Sequence, residues 1–239
     1  MPSPARTSLK FKLGSIPVEV LPGFWLLTLF LGFPYSQSTP LLITWILAVF
    51  ISVLVHELGH AVFALYYGSE VKITLHGMGG MTSHSQLTKW PTVITSFAGP
   101  AAGFVFIGIV LLALDWRFDN VLTTEQLPFF AVSEMSPTWL YFLSFHLLWV
   151  NISWGLLNLL PILPLDGGQI LNGLLQISLG PKALLISLAV SFVCAASFAA
   201  FAFLYWQALF AALLFAYFAY SSLRDFWAVK KHFASIAGE

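Results

Sequence analysis

Residues 41–64 read LLITWILAVFISVLVHELGHAVFA, an apolar run that contains His56, Glu57 and His60. A run of this length can cross a bilayer as a helix, and ionisable groups inside it are costly unless they have partners or a function. At about 100° per residue, the two histidines fall about 40° apart on one helix face, with Glu57 beside them. Imidazoles at this spacing can bind one zinc ion, and a neighbouring carboxylate can accept a proton from water. The stretch therefore predicts a buried metal centre with hydrolytic chemistry.

The composition predicts an integral membrane protein. The chain has 239 residues, of which 59% are hydrophobic and 8% charged, and its mean hydropathy is +0.87. A soluble domain carries about 25% charged residues. The formal net charge is zero, so no basic surface for nucleic acid is expected. Cys194 is the single cysteine, which excludes an intrachain disulfide and a thiolate zinc cluster.

The apolar runs predict an all-α polytopic membrane protein with a small strand and loop element on the cytoplasmic side. About six transmembrane helices are expected, at residues 21–34, 41–67, 91–114, 139–160, 183–204 and 206–222. Most Lys and Arg residues flank the side that carries both termini, so the positive-inside rule predicts cytoplasmic termini and a cytoplasmic active-site mouth. We expect one membrane-embedded domain over residues 1–239, with a catalytic core at about 41–175 and C-terminal helices at 183–222.

Asp166 is the best candidate for a third metal ligand, because two protein nitrogens rarely complete a zinc site. It closes the stretch NLLPILPLD at residues 158–166, in which two prolines interrupt an apolar helix. Irregular backbone at membrane depth is tolerated where it is buried in protein or lines a wet cavity. The donor set favours zinc, although it also suits other divalent metals.

A membrane HExxH helix followed about a hundred residues later by NxxPxxxLDG resembles the site-2 protease family of intramembrane zinc metalloproteases. The resemblance covers roughly the first 175 residues. It implies that His56, His60 and Asp166 bind one zinc ion per chain and that Glu57 is the general base. Many members have asparagine where Gly103 stands, so a substrate-orienting role of that side chain cannot be transferred. With no room for inserted PDZ or CBS domains, the chain looks like a minimal form of the family.

Residues 70–76 alternate apolar and polar side chains as a strand does, and a glycine-rich stretch follows. We expect this segment to be a substrate-facing edge, with Gly79 and Gly80 orienting the substrate, because an extended peptide can pair with an exposed strand. An ordinary surface hairpin is the alternative. Asn158 either satisfies carbonyls freed by the nearby prolines or contacts the scissile region.

These features predict hydrolysis of a peptide bond within or near a transmembrane segment of another protein. The expected partners are that substrate protein and the lipid bilayer, and the resemblance implies regulated intramembrane proteolysis or clearance of membrane remnants. One alternative is a pseudoprotease that binds membrane helices without cleaving them. Another is a zinc transporter, which should carry ligands along a path across the bilayer, whereas the outer half offers little beyond His146. The sequence indicates neither the substrate nor the oligomeric state.

Overall fold

The protein is described by a computed structural model that covers residues 8–85, 87–118 and 138–237. Its strands are β1 (Leu9–Leu13), β2 (Ile16–Val20), β3 (Val71–His76) and β4 (Gly79–His84). Its helices are α1 (Pro22–Leu31), α2 (Thr39–Tyr66), α3 (Lys89–Phe118), α4 (Thr138–Asn158), α5 (Asp166–Leu179), α6 (Ala183–Leu204) and α7 (Leu209–Ala237). Short 3-10 turns occupy Phe33–Tyr35 and Gly180–Lys182.

Contacts divide the chain into two compact units. The first comprises residues 1–86 and 98–155, and the second comprises residues 87–97 and 156–239. The first unit therefore holds the four strands, α1, α2 and most of α3 and α4, while the second holds the start of α3, the end of α4 and α5 to α7. A single domain over the whole chain stays a prediction.

Four helical segments of the described residues are long and apolar enough to cross a membrane. They are Thr39–Tyr66, Lys89–Arg117, Trp139–Asn158 and Asp166–Leu204. These segments confirm the predicted membrane class. Helix α1 is apolar but has 10 residues, fewer than the roughly 20 that a perpendicular span needs. The count of six spans stays a prediction, and residues 119–137, between the third and fourth predicted spans, lie outside the described residues.

The strands form one mixed sheet in the order β1-β2-β3-β4. β1 and β2 are antiparallel, β2 and β3 are parallel, and β3 and β4 are antiparallel. One face carries buried apolar side chains that pack against helix α2, where Val53 and Ala61 belong to the same core. The prediction of a strand at residues 70–76 is confirmed by β3. The N-terminal hairpin enlarges the sheet, so the fold contains more β-structure than the all-α description predicts.

Helices α6 and α7 dominate the second unit. A four-residue connection makes them antiparallel neighbours, and α6 coincides with the predicted span 183–204. Their shared core contains Ala195, Phe215 and Phe218. The sequence predicts α5 only as part of a segment between spans. This helix forms because the helix-breaking prolines lie before Asp166, while an acidic residue in the first turn favours a helix start.

Candidate metal centre

Helix α2 presents His56 and His60 on one face, as their spacing predicts. The two Nε2 atoms lie 3.1 Å apart, and the ring planes are inclined at 82°. Both residues are buried, with exposures of 4% and 8%. Zinc–nitrogen bonds measure about 2.0–2.1 Å, so a single ion can contact both nitrogens at this separation. The converging imidazoles therefore fit a divalent metal ion.

Glu57 lies beside the histidine pair and is 4% exposed. One ligand atom from each of His56, Glu57 and His60 lies within 4.8 Å of the others. Thr82, on strand β4, donates its hydroxyl hydrogen toward the carboxylate oxygen Oε2 at 2.7 Å and lies 3.1 Å from the backbone carbonyl of Glu57. The hydroxyl fixes the orientation of the carboxylate and leaves Oε1 for other partners. No sequence pattern indicates this contact, since Thr82 is 25 residues from Glu57.

Two glycines allow neighbouring backbone to approach the centre closely. A Cβ atom on Gly99 of α3 would overlap the ring of His60 and would lie 2.9 Å from Nε2 of His56. A Cβ atom on Gly80 of β4 would overlap Cγ and Oε1 of Glu57. The absence of side chains at these positions therefore creates the space that the imidazoles and the carboxylate occupy.

The packing of α2 against α3 also depends on Gly59, inside the HExxH motif. A Cβ atom there would overlap the carbonyl oxygen of Ala98 and would lie 2.7 Å from Cβ of Ala102. Gly59 therefore allows α2 and α3 to approach closely beside the histidine pair. Gly103 is packed less closely than Gly59, because the nearest atom to an added Cβ there would be Oδ1 of Asn151 on α4, at 3.1 Å.

Asn151 is a buried polar residue that no sequence motif indicates. Its amide nitrogen donates to Oγ of Ser52 at 2.8 Å and to the carbonyl of Leu147 at 2.8 Å. Ser52 lies one helical turn before His56, so this hydrogen bond ties α4 to the helix that carries the histidines. His146 on α4 lies 3.2 Å from the hydroxyl of Thr44 through Nδ1, as expected for a hydrogen-bonded bundle residue.

The predicted Asp166 motif lies in the second unit. Asn158 ends α4, residues 159–165 are non-helical, and Asp166 begins α5 with 7% exposure. A Cβ atom on Gly167 would overlap the carbonyl oxygen of Leu159, so this glycine is required by the tight return of the chain. The structure thus brings His56, Glu57 and His60 together within the first unit. The ligand role of Asp166 and the substrate role of Asn158 stay predictions.

Gly79 and Gly80 lie at the start of β4, one of the two edge strands of the sheet. Gly79 has a φ of +120°, a backbone conformation that favours glycine, and a Cβ atom there would lie 2.8 Å from the ring of Trp154. The local structure therefore explains why glycine stands at both positions. Their predicted role in orienting substrate stays a prediction.

The model of peptidase family M50 matches residues 44–201, which include the histidine pair, Glu57 and Asp166. The chain belongs to peptidase family M50. This assignment confirms the resemblance to site-2 proteases. A solved site-2 protease from Methanocaldococcus jannaschii is similar over 91% of this chain and 94% of that chain, with a TM-score of 0.61 and 29% sequence identity.

Curated relatives of this M50 chain agree with the structural similarity. A zinc metalloprotease of Methanocaldococcus jannaschii is 33% identical over 168 residues, which is 70% of this chain and 44% of the relative. A candidate zinc metalloprotease of Synechocystis sp. is 32% identical over 175 residues, 66% of this chain and 41% of the relative. The chain thus spans less than half the length of these two relatives.

Proposed function

We propose that this M50 chain is an intramembrane zinc metallopeptidase. It hydrolyses a peptide bond within or near a transmembrane segment of a substrate protein. The observation that carries the proposal is the 3.1 Å approach of the His56 and His60 Nε2 atoms beside buried Glu57, on a helix apolar enough to span a membrane. Paired imidazoles and a carboxylate are costly inside a bilayer, and metal-dependent hydrolysis accounts for all three.

His56 and His60 would hold the metal ion through Nε2, and Asp166 would be the third protein ligand. Support for Asp166 comes from its burial at the start of α5, directly after irregular backbone, and from its place inside the M50 match. When bound, zinc supplies a Lewis acid that polarises a carbonyl oxygen and acidifies water.

Glu57 moves the proton. Its carboxylate accepts a proton from the attacking water at Oε1, since Oε2 is engaged by Thr82, and then delivers that proton to the leaving amine. The Thr82 hydroxyl keeps the carboxylate in one orientation during both transfers. The buried position of the three residues keeps bulk water away from the reacting groups.

Strand β4 holds the substrate in extended form. A transmembrane helix has to unwind before a peptide bond can be attacked, because a helical carbonyl is already hydrogen-bonded within its own turn. An unwound segment can pair with the outer edge of β4, whose other edge already pairs with β3. Gly80 and Thr82 then place this strand next to Glu57, and Asn158 contributes a polar side chain near the end of α4.

The charge distribution supports the proposed topology, and the resemblance to site-2 proteases supports the proposed biological use. The chain crosses the membrane about six times, both termini lie in the cytoplasm, and the active-site mouth opens on the same side. Cleavage there releases a cytoplasmic fragment or clears a membrane remnant.

Two alternatives lack comparable support. A zinc transporter needs ligands at several depths, yet the described residues contain one group of at least three converging His, Cys, Asp or Glu side chains. A pseudoprotease needs a disabled base or metal site, whereas His56, Glu57 and His60 converge with good geometry.

The test is Glu57→Gln on detergent-purified full-length protein. Zinc per chain is measured by elemental analysis, and cleavage is measured on quenched-fluorescence peptides built from single transmembrane segments. We expect about one zinc per chain in both proteins. Cleavage should occur in the wild type and should fall at least a hundredfold in the variant, the range seen when general base catalysis is lost. A folded wild type without zinc would overturn the proposal, and so would full turnover by Glu57→Gln.

A further inference from the structure

The second unit contains a groove of about 750 Å³ outside the candidate metal centre. Four elements contribute its lining: the start of α3, the end of α5 with the following turn, the start of α6 and the last part of α7. Its floor and walls are largely apolar, with Pro181, Leu184, Val229 and Phe233 among the lining residues.

Among the described residues that line the groove, the charged side chain is that of Lys89, and Gln176 adds a neutral amide. Lys89 supplies an ammonium group and His232 an imidazole, and no acidic side chain lines the groove in the part of the chain that the structure describes. Exposed Lys182 directly precedes α6 and adds a second ammonium group near the groove. The groove thus joins an apolar cleft to a cationic rim.

The sequence around the groove places it at a membrane surface. Residues 90–114 of α3 carry no charge after Lys89, and residues 209–223 of α7 carry none before Arg224. Charged residues then follow in α7, where Lys230 lies 4.9 Å from the ring centre of Trp227. Helix α7 is seven residues longer than α6. The last two turns of α7 therefore extend past the start of α6. Tryptophan and lysine at such a boundary are typical of the headgroup region.

We propose that this groove binds one anionic phospholipid. Its phosphate pairs with Lys89 and His232, and the upper part of an acyl chain packs along Leu184, Val229 and Phe233. A free phosphate would leave the apolar lining in contact with water, and a zwitterionic lipid would bring a choline group against the cationic rim. The charge and the apolar lining together match a lipid with net negative charge.

The experiment uses full-length protein in detergent and native mass spectrometry. The protein is titrated with dioleoyl phosphatidylglycerol or with phosphatidylcholine of the same acyl chains. We expect the anionic lipid to bind one per chain and about fivefold more tightly, the effect of one lysine at a membrane surface. Lys89→Gln should abolish this preference, and Lys89→Arg should retain it. Lys12→Gln removes an exposed lysine from β1 and is the matched control, with no expected effect.

A second variant tests the cleft itself. Ala228 is exposed and lines the groove, so Ala228→Trp fills the space without changing charge or the core. We expect it to abolish the one-to-one complex, while zinc content and thermal stability stay at wild-type values. These readouts do not require peptidase activity, so the lipid site and the proposed function can fail separately.

Several outcomes would overturn the proposal. Equal affinity for both lipids would make the groove a neutral acyl site. Displacement of the lipid by millimolar inorganic phosphate would make it a site for soluble anions. A dimer that Ala228→Trp dissociates would assign the groove to self-association, and an unchanged preference in Lys89→Gln would place the anionic lipid elsewhere.

Discussion

The hydroxyl oxygen of Thr82 lies 2.7 Å from Oε2 of Glu57 and 3.1 Å from the backbone carbonyl of the same residue. Thr82 belongs to edge strand β4, and Glu57 belongs to α2. The strand proposed to hold the substrate is therefore bonded directly to the residue proposed to move the proton. Pairing of a peptide with β4 and orientation of the carboxylate depend on the same few atoms.

Thr82→Val should lower kcat at least about tenfold while leaving zinc content unchanged. The substitution keeps the branched shape and removes the hydrogen bond to a charged group, which is worth about 1.5–3 kcal/mol. Tenfold in rate corresponds to about 1.4 kcal/mol. Cleavage rate and zinc per chain are the measurements, and Thr82→Ser should restore most of the rate.

Thr74→Val is the control for this prediction. Thr74 lies on neighbouring β3 opposite Met81, on the other face of the sheet from the Ile73 and Thr82 pair. We expect this control to cleave at nearly the wild-type rate. An equal loss of cleavage rate in Thr82→Val and Thr74→Val would show that Thr82 only stabilises the sheet. Failure of Thr82→Ser to restore the rate would show the same.

Gly99→Ala should remove most of the bound zinc. The added Cβ atom would overlap the His60 ring and crowd Nε2 of His56, so the imidazoles cannot keep their converging positions. Elemental analysis of the purified variant measures the effect.

Gly108→Ala is a matched control on the same helix, because a Cβ atom there meets nothing within 4 Å. Alanine is also the better helix former by about 1 kcal/mol. This control should keep full zinc content with unchanged or higher thermal stability. Normal zinc binding by Gly99→Ala would show that the centre can shift by more than the structure indicates.

Local patterns in the sequence predict the elements that carry the metal-binding motifs. The apolar run at 41–67 matches α2, and the spacing of His56 and His60 places both on one face because helix geometry fixes that relation. The prolines between Asn158 and Asp166 predict the break between α4 and α5.

Long-range contacts could not be predicted in this way. Thr82 approaches Glu57 only because β4 packs against α2, and threonine is unremarkable in a strand. Asn151 and Ser52 are separated by 99 residues, and neither belongs to a motif. Strand β1 is short and half polar, so its pairing with β2 becomes evident only in the sheet.

Acid should destabilise the sheet through Glu19. Its carboxylate accepts hydrogen bonds from Lys72 at 2.6 Å and from Ser8 at 2.8 Å, with Lys10 at 3.4 Å. The bond from Lys72 is the main cause that lowers the pKa of Glu19 from 4.5 to about 2. A carboxyl group with a lowered pKa stabilises the fold above its unfolded pKa, and this stabilisation disappears as the pH falls from about 4.5 towards 2.

Thermal unfolding between pH 7 and pH 3 tests this dependence. Glu19→Gln should lower the Tm at pH 7 and should flatten its decline in acid. The effect should be small and should weaken in high salt, because the lysine partners are exposed. Glu70→Gln removes an exposed carboxylate next to β3 and is the control. If the Tm of Glu19→Gln falls with pH just as the Tm of the wild type does, groups other than Glu19 cause the loss of stability in acid.

Asp166→Ala should lose most of its zinc, whereas Asp225→Ala should keep it. Both substitutions remove one carboxylate from the second unit, but the Asp225 side chain on α7 is 45% exposed and pairs with Arg224 at 2.8 Å. Loss of one of three protein ligands leaves two imidazoles, which rarely hold zinc by themselves. The measurement is zinc per chain after dialysis against a weak chelator, with far-UV circular dichroism to verify folding. If folded Asp166→Ala keeps the zinc content of the wild type, this carboxylate is excluded as a ligand. The third ligand would then have to be sought elsewhere in the chain.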